Sequence, residues 1–150
     1  MKNLHPMKAR QQLTDQEYQS VKSSFINIYI LFLKEEPITT HLVDCLLKWG
    51  IQLDLNEQEL NGMIKQRENF DFQMPTRQEA IEQIYDLVYM IYMDEVVEDA
   101  ELQIATKYAE KLGFESHVVG DLLKAIVAAP GDGLDHHELK SEIKKLLLQD

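Results

Sequence analysis

Five carboxylates fall within the eight residues Asp94-Glu95-Val96-Val97-Glu98-Asp99-Ala100-Glu101, directly after the apolar run 84–93. Oxygen donors at that density suit a hard divalent cation such as Ca²⁺, Mg²⁺ or Mn²⁺, whose shell mixes carboxylate, carbonyl and water. They equally suit a basic surface on a partner protein. Part of the cluster has a plainer use. Glu98, Asp99 and Glu101 stand at or inside the first turn of a following helix, where carboxylates accept orphan amide hydrogen bonds and face the positive dipole end, each contributing roughly 0.3–1 kcal/mol. Asp94 and Glu95 lack that benefit, because they close the preceding helix, where the dipole disfavours negative charge. A cation held by Asp94 and Glu101, with Glu98 auxiliary, would relieve the repulsion. Glu95 then belongs to a contact surface, and Asp99 holds the helix start as its cap.

The apolar run carries polar marks of its own. Tyr85, Tyr89 and Tyr92 recur at helical spacing, as a core-edge stripe with wetted hydroxyls or as a partner-binding stripe. Asp86, beside them, is either solvent-facing or a buried carboxylate with a raised pKa, and burial without a partner would be costly. With Asn27 it marks a polar seam.

Other chemistry is thin. The segment Asp132 to Glu138 is one residue too short, from Gly133 to Glu138, for a calcium-binding helix-loop-helix. His136 and His137 are adjacent on a helix and do not face a common ligand point. Cys45 is the only cysteine, which excludes an internal disulfide and fits a reducing compartment; its apolar setting makes it a small packing residue. There is no nucleophile elbow, phosphate loop or zinc spacing. The chain is therefore expected not to be an enzyme, a reading that a polar cleft around Asp86 or His41 would reverse.

These residues need elements to position them. Thr14-Asp15-Gln16-Glu17 and Thr76-Arg77-Gln78-Glu79 have capping-box spacing. The first opens a helix to about Leu33, closed by Pro37. Thr39 or Thr40 starts a second that stops at Gly50, and Asn56 with Glu59 starts a third reaching about Glu68. Residues 69–75 read as a loop whose Phe70 and Phe72 plug the core. A fourth helix runs from Thr76 to about Met93, and a fifth from Glu98 or Asp99 to Gly113. Ser116 caps a sixth that ends at Ala129; after the turn Pro130-Gly131-Asp132-Gly133, a seventh covers about 135–149. The expected fold class is all-α, a single compact domain over residues 1–150 with 1–13 flexible.

Sliding the chain by 59 residues brings Leu31 onto Met90, Ile38 onto Val97, Trp49 onto Tyr108, Leu53 onto Leu112 and Ile64 onto Leu123. Polar punctuation follows: Asn27 falls on Asp86, Glu36 on Glu95, and Thr40 on Asp99. The register points to two pseudo-repeated helical units, about 14–68 and 76–129, packed around two central apolar helices. Position 42, a leucine, corresponds to Glu101, so only the second turn has an Asp94/Glu101 pair.

Composition narrows the rest. With 45% hydrophobic and 27% charged residues, the 150-residue chain has the make-up of one folded domain. A formal charge of −11 repels phosphate backbones, so no nucleic-acid partner is expected. The apolar runs reach only nine or ten residues, against about 20 needed to span a bilayer. The basic, polar start has no secretory apolar core, which favours the cytoplasm.

An apolar helix, Asp94, Val97, Glu101, an amphipathic helix, Leu112-Gly113-Phe114 and a further amphipathic helix together resemble the tellurite-resistance TerB family and its TerB-like relatives, whose motif reads Asp-Gly-x-Val/Ile-x-x-x-Glu. The resemblance covers about residues 84–129 and implies a compact all-α domain, an acidic metal-binding surface, stress-response assemblies associated indirectly with membranes, and no catalysis. Asp94 matches the motif Asp, Val97 the aliphatic position and Glu101 the closing Glu. The motif Gly is Glu95 here, which departs from the pattern where a positive φ would favour glycine. The resulting expectation is a non-enzymatic TerB-like domain whose acidic turn binds a divalent cation or a partner protein. The alternative is a metal-independent interaction or homodimerisation module.

Overall fold

The computed structural model describes residues 13–35, 37, 39–65, 69, 72 and 74–148, without the side chains of 35, 63 and 64. Expectations for 1–12, Glu36, Ile38, Ile64, the end of the third helix at 66–68, Phe70 and position 149 lie outside the described residues or side chains. Seven α-helices and no strand occur among them: α1 (Asp15–Glu35), α2 (Thr40–Gln52), α3 (Glu57–Lys65), α4 (Arg77–Tyr92), α5 (Asp99–Lys111), α6 (Val118–Ala128) and α7 (His136–Leu148).

The local chemistry explains most boundaries. Thr14 closes a reciprocal box with Glu17 at the head of α1, through bonds of 2.9 and 3.2 Å. Thr76 and Glu79 do the same for α4 at 3.0 and 3.2 Å. Asn56 caps α3 on Glu59, Thr39 caps α2 on Leu42, and Asp135 caps α7 on Glu138. Each bond satisfies an amide that the helix itself leaves without a partner.

Two expected boundaries move. Gly50 does not stop α2; it lies inside the helix, where a Cβ would come within 3.0 Å of the Leu60 side chain, so its smallness lets α2 and Leu60 approach. The actual stop is Leu53-Asp54, with Asp54 at φ 60°. Nor does Ser116 cap α6. The Val118 amide bonds the Glu115 carbonyl at 3.2 Å, so residues 115–118 form a tight backbone turn that leads into the helix without a side-chain cap.

α2 and α5 are each 13 residues long and start 59 positions apart. Their ends match as well. Leu55 N–H bonds Gly50 O and Phe114 N–H bonds Ala109 O, both at 2.9 Å, and Asp54 and Gly113 both take positive φ.

α1 and α4 form the most extensive helix pair, and α4 also meets α5, α6 and α7. Phe25, Ile28, Trp49, Ile84, Leu87, Val88, Ile91 and Tyr108 are fully buried in one core. Phe72 packs against that core as expected. No described helix is long and apolar enough to cross a membrane.

Candidate functional site

The acidic turn lies between α4 and α5 and is built around a lysine. Glu98 occupies the N-cap position of α5, ahead of Asp99 in its first turn. Asp99 is therefore not the cap. Glu101, one turn in, is completely buried. Its Oε1 accepts from Lys48 Nζ at 2.7 Å and from the Glu98 amide at 3.1 Å, and its Oε2 accepts from Trp49 Nε1 at 2.7 Å. Lys48 also reaches Asp94 Oδ2 at 3.0 Å and donates to the Val96 carbonyl at 3.1 Å. Three oxygens thus surround one ammonium nitrogen contributed by α2. Burial works against the Lys48 charge, but its bonds to Glu101 and Asp94 outweigh that and hold its pKa above the ordinary value. Burial, with Glu101 and Glu98 nearby, pushes the Cys45 thiol up to about 11.

Asp94 Oδ1 accepts from the Val96 amide at 3.0 Å, pinning a turn in which Glu95 stands at φ 61°. That is the left-handed region in which a side chain is disfavoured and glycine is not. Glu95, Val96, Glu98 and Asp99 are exposed. Of the expected metal ligands, the fold brings Asp94 and Glu101 together on Lys48, whereas Glu98 is exposed and reaches Glu101 through its backbone amide. Among the described residues, no three His, Cys, Asp or Glu side chains are grouped so as to hold a metal ion.

The polar seam is a second, separate centre. Asp86 is fully buried and not solvent-facing. Its Oδ1 accepts from Lys140 Nζ of α7 at 2.9 Å, and its Oδ2 lies 2.8 Å from Ser24 Oγ and 3.0 Å from Ser20 Oγ. Lys140 also pairs with Glu82 at 3.1 Å. Burial raises the Asp86 pKa, against Lys140 and the two serines. Asn27 bonds Gln83 Oε1 at 3.1 Å and Tyr108 OH at 3.2 Å, and Tyr108 OH donates to Gln83 at 2.6 Å.

The tyrosine stripe divides. Tyr85 is fully buried, so its hydroxyl is not wetted; it lies 3.4 Å from His136 Nδ1. Tyr89 stacks on Tyr85 and meets the His136 ring edge-on at 4.3 Å, while Tyr92 is half-buried against the core. His136, so enclosed, has its pKa driven down by burial to about 4. His41 is exposed and lines a different cleft, beside Phe32 and Ala100, so it does not join Asp86.

Lys48 and Lys140 are the residues that sequence reasoning missed. Their one signal is position: Lys48 directly precedes the buried Trp49, and Lys140 lies between Leu139 and Ile143. Among the described residues, fold and sites together define an all-α bundle with two buried carboxylates, each paired with a lysine from a distant helix. No family model, curated protein or solved structure matches this chain.

Proposed function

We propose that this chain is a non-enzymatic, TerB-like interaction domain, built by duplication of one helical unit, whose acidic turn docks on a basic surface of a partner protein. The observation that carries this reading is the division of the turn into two sides. Asp94 and Glu101 face inward and are neutralised by Lys48. Glu95, Glu98 and Asp99 remain outward around Val96, which is 55% exposed. Outward charge around an apolar point on a pinned turn suits steering and registering a basic partner. The positive φ of Glu95, at the family's glycine position, supports the TerB-like reading, and the shared 59-residue register of α2 and α5 supports duplication. A stress-response role, cytoplasmic location and indirect membrane association rest on the resemblance and composition.

A divalent ion at the inward pair would have to displace the Lys48 ammonium, so the partner version is favoured over the metal version. Capture from a cell extract by wild type and by Glu95→Gln/Glu98→Gln/Asp99→Asn tests the partner version. Proteins held by wild type in low salt should be lost with the triple variant, and an unchanged set would refute the reading. Titration with Ca²⁺, Mg²⁺ or Mn²⁺ should leave the emission of Trp49 unaltered, since its indole hydrogen-bonds Glu101. A saturable change would restore the metal version.

Self-association is a second reading, supported by Val43, Leu47 and Ile51, which stand 36%, 37% and 58% exposed at i, i+4 and i+8 along α2. Light scattering behind size exclusion decides it. A concentration-dependent dimer abolished by Leu47→Glu/Ile51→Glu would support it, and a strict monomer would sink it.

A further inference from the structure

The helices α6 and α7 leave a groove of about 450 Å³ between them, floored by Phe114, Val118, Leu122, Ala125 and Ile143 and edged by Leu146, which is 66% exposed. Its volume falls in the range of small-molecule sites, roughly 300–1,000 Å³. Four charged or chargeable groups stand at its rim: Arg77, Glu115, His117 and Asp121. They are not equivalent. His117 Nε2 lies 2.7 Å from Glu115 and its Nδ1 2.9 Å from Asp121, so both carboxylates are engaged on one imidazole. Those two bonds raise the His117 pKa and favour its cationic form. Arg77 Cζ sits over the Phe114 ring, 4.2 Å from its centre, and no described carboxylate forms a salt bridge with it. The start of α6, which has no side-chain cap, opens at the same rim and adds positive potential. In a strongly acidic protein, Arg77 thus stands at the end of an apolar groove without a salt bridge from any described carboxylate.

We propose that this groove binds a free fatty carboxylate, with Arg77 taking the anionic head and the floor of Phe114, Val118, Leu122 and Ile143 taking the tail. A planar guanidinium matches a carboxylate in two parallel hydrogen bonds, and the Phe114 ring holds it in place for that contact. The rim also predicts discrimination. A cationic head of equal tail length would meet Arg77 and be repelled, and a short-chain acid would leave the floor uncovered.

Calorimetric titration of the full chain with decanoate tests the assignment. Wild type should bind in a saturable, one-to-one manner. Arg77→Gln and Leu146→Glu, both at exposed positions, should each weaken binding at least fivefold. His117→Ala, which releases Glu115 and Asp121 from their partner, should weaken it by a smaller factor. Decyltrimethylammonium and butyrate should bind at least tenfold more weakly than decanoate. Decanoate binding that is non-saturable, or unchanged in Arg77→Gln, overturns the proposal, as does equal binding of the ammonium analogue. Cosedimentation with phosphatidylglycerol vesicles in the absence of decanoate binding would assign the groove to a lipid surface and also overturn it.

Discussion

Asp86 and Glu101 are both fully buried, and each takes a lysine from a helix more than 50 positions away, yet their surroundings differ in kind. Glu101 lies in the first turn of α5, where the helix dipole favours a negative charge. Two of its donors, the Glu98 amide and the Trp49 indole, have fixed hydrogens. Asp86 lies in the middle of α4, where no helix end assists it. Apart from Lys140 its donors are hydroxyls, and Ser20 is shared with Glu82 at 3.1 Å, although a hydroxyl has only one hydrogen to donate. Burial raises the pKa of the Asp86 carboxyl. A buried acid is thus accommodated by where its helix begins as much as by its counter-ion.

The most severe way to break this comparison is to remove the lysines singly. Lys140→Met should cost about 3–5 kcal/mol in urea unfolding, since it leaves a buried carboxylate with hydroxyl donors alone. Lys48→Met should cost less, about 1–3 kcal/mol, because the amide, the indole and the dipole remain. Equal losses would show that position on the helix does not matter. Replacing both Asp86 and Lys140 with Leu and Met should recover most of the Lys140→Met loss.

Acid titration sharpens the same contrast through opposite signs. The depressed pKa of His136 contributes stability above its ordinary value of 6.5, and that contribution is lost as pH falls toward about 4. Asp86, with a raised pKa, contributes stability that is fully present below its ordinary value of 3.8 and is lost as pH rises through the folded value. Between pH 6.5 and 4, His136→Phe should therefore lose stability less steeply than wild type, and Asp86→Asn more steeply. Unfolding free energies across that window check both slopes. The smallest effect belongs to the turn: Glu95→Gly should stabilise by about 0.5–1 kcal/mol, because glycine tolerates the positive φ. A thermal melt at neutral pH should move upward.

How far this was legible in the sequence depends on whether the cause was local. The boxes at Thr14 and Thr76, the caps at Thr39, Asn56 and Asp135, and the stop at Gly113 are written in adjacent residues, and they appear where spacing places them. The Gly50 stop failed because that glycine serves a contact with Leu60, which helical period does not reveal. Asp94 and Glu101 were legible as a pair that requires a cation. That Lys48 supplies it was not, because lysine normally reads as solvated surface and the partners lie 46 and 53 residues apart. The same holds for Asp86 and Lys140. Local pattern shows where a charge must be compensated, and the packing of α2 on α5 and of α7 on α4 determines which residue does it.

Cys45 lies on α2 near the Lys48 and Glu101 contact, buried and with its thiol pushed up to about 11. In the closed fold it is both inaccessible and almost wholly protonated, so thiol reagents must wait for α2 to lift from α5. Its alkylation rate at neutral pH is therefore a clock for that opening. It times the motion that would bare the Asp94 and Glu101 pair, without any added label on the molecule.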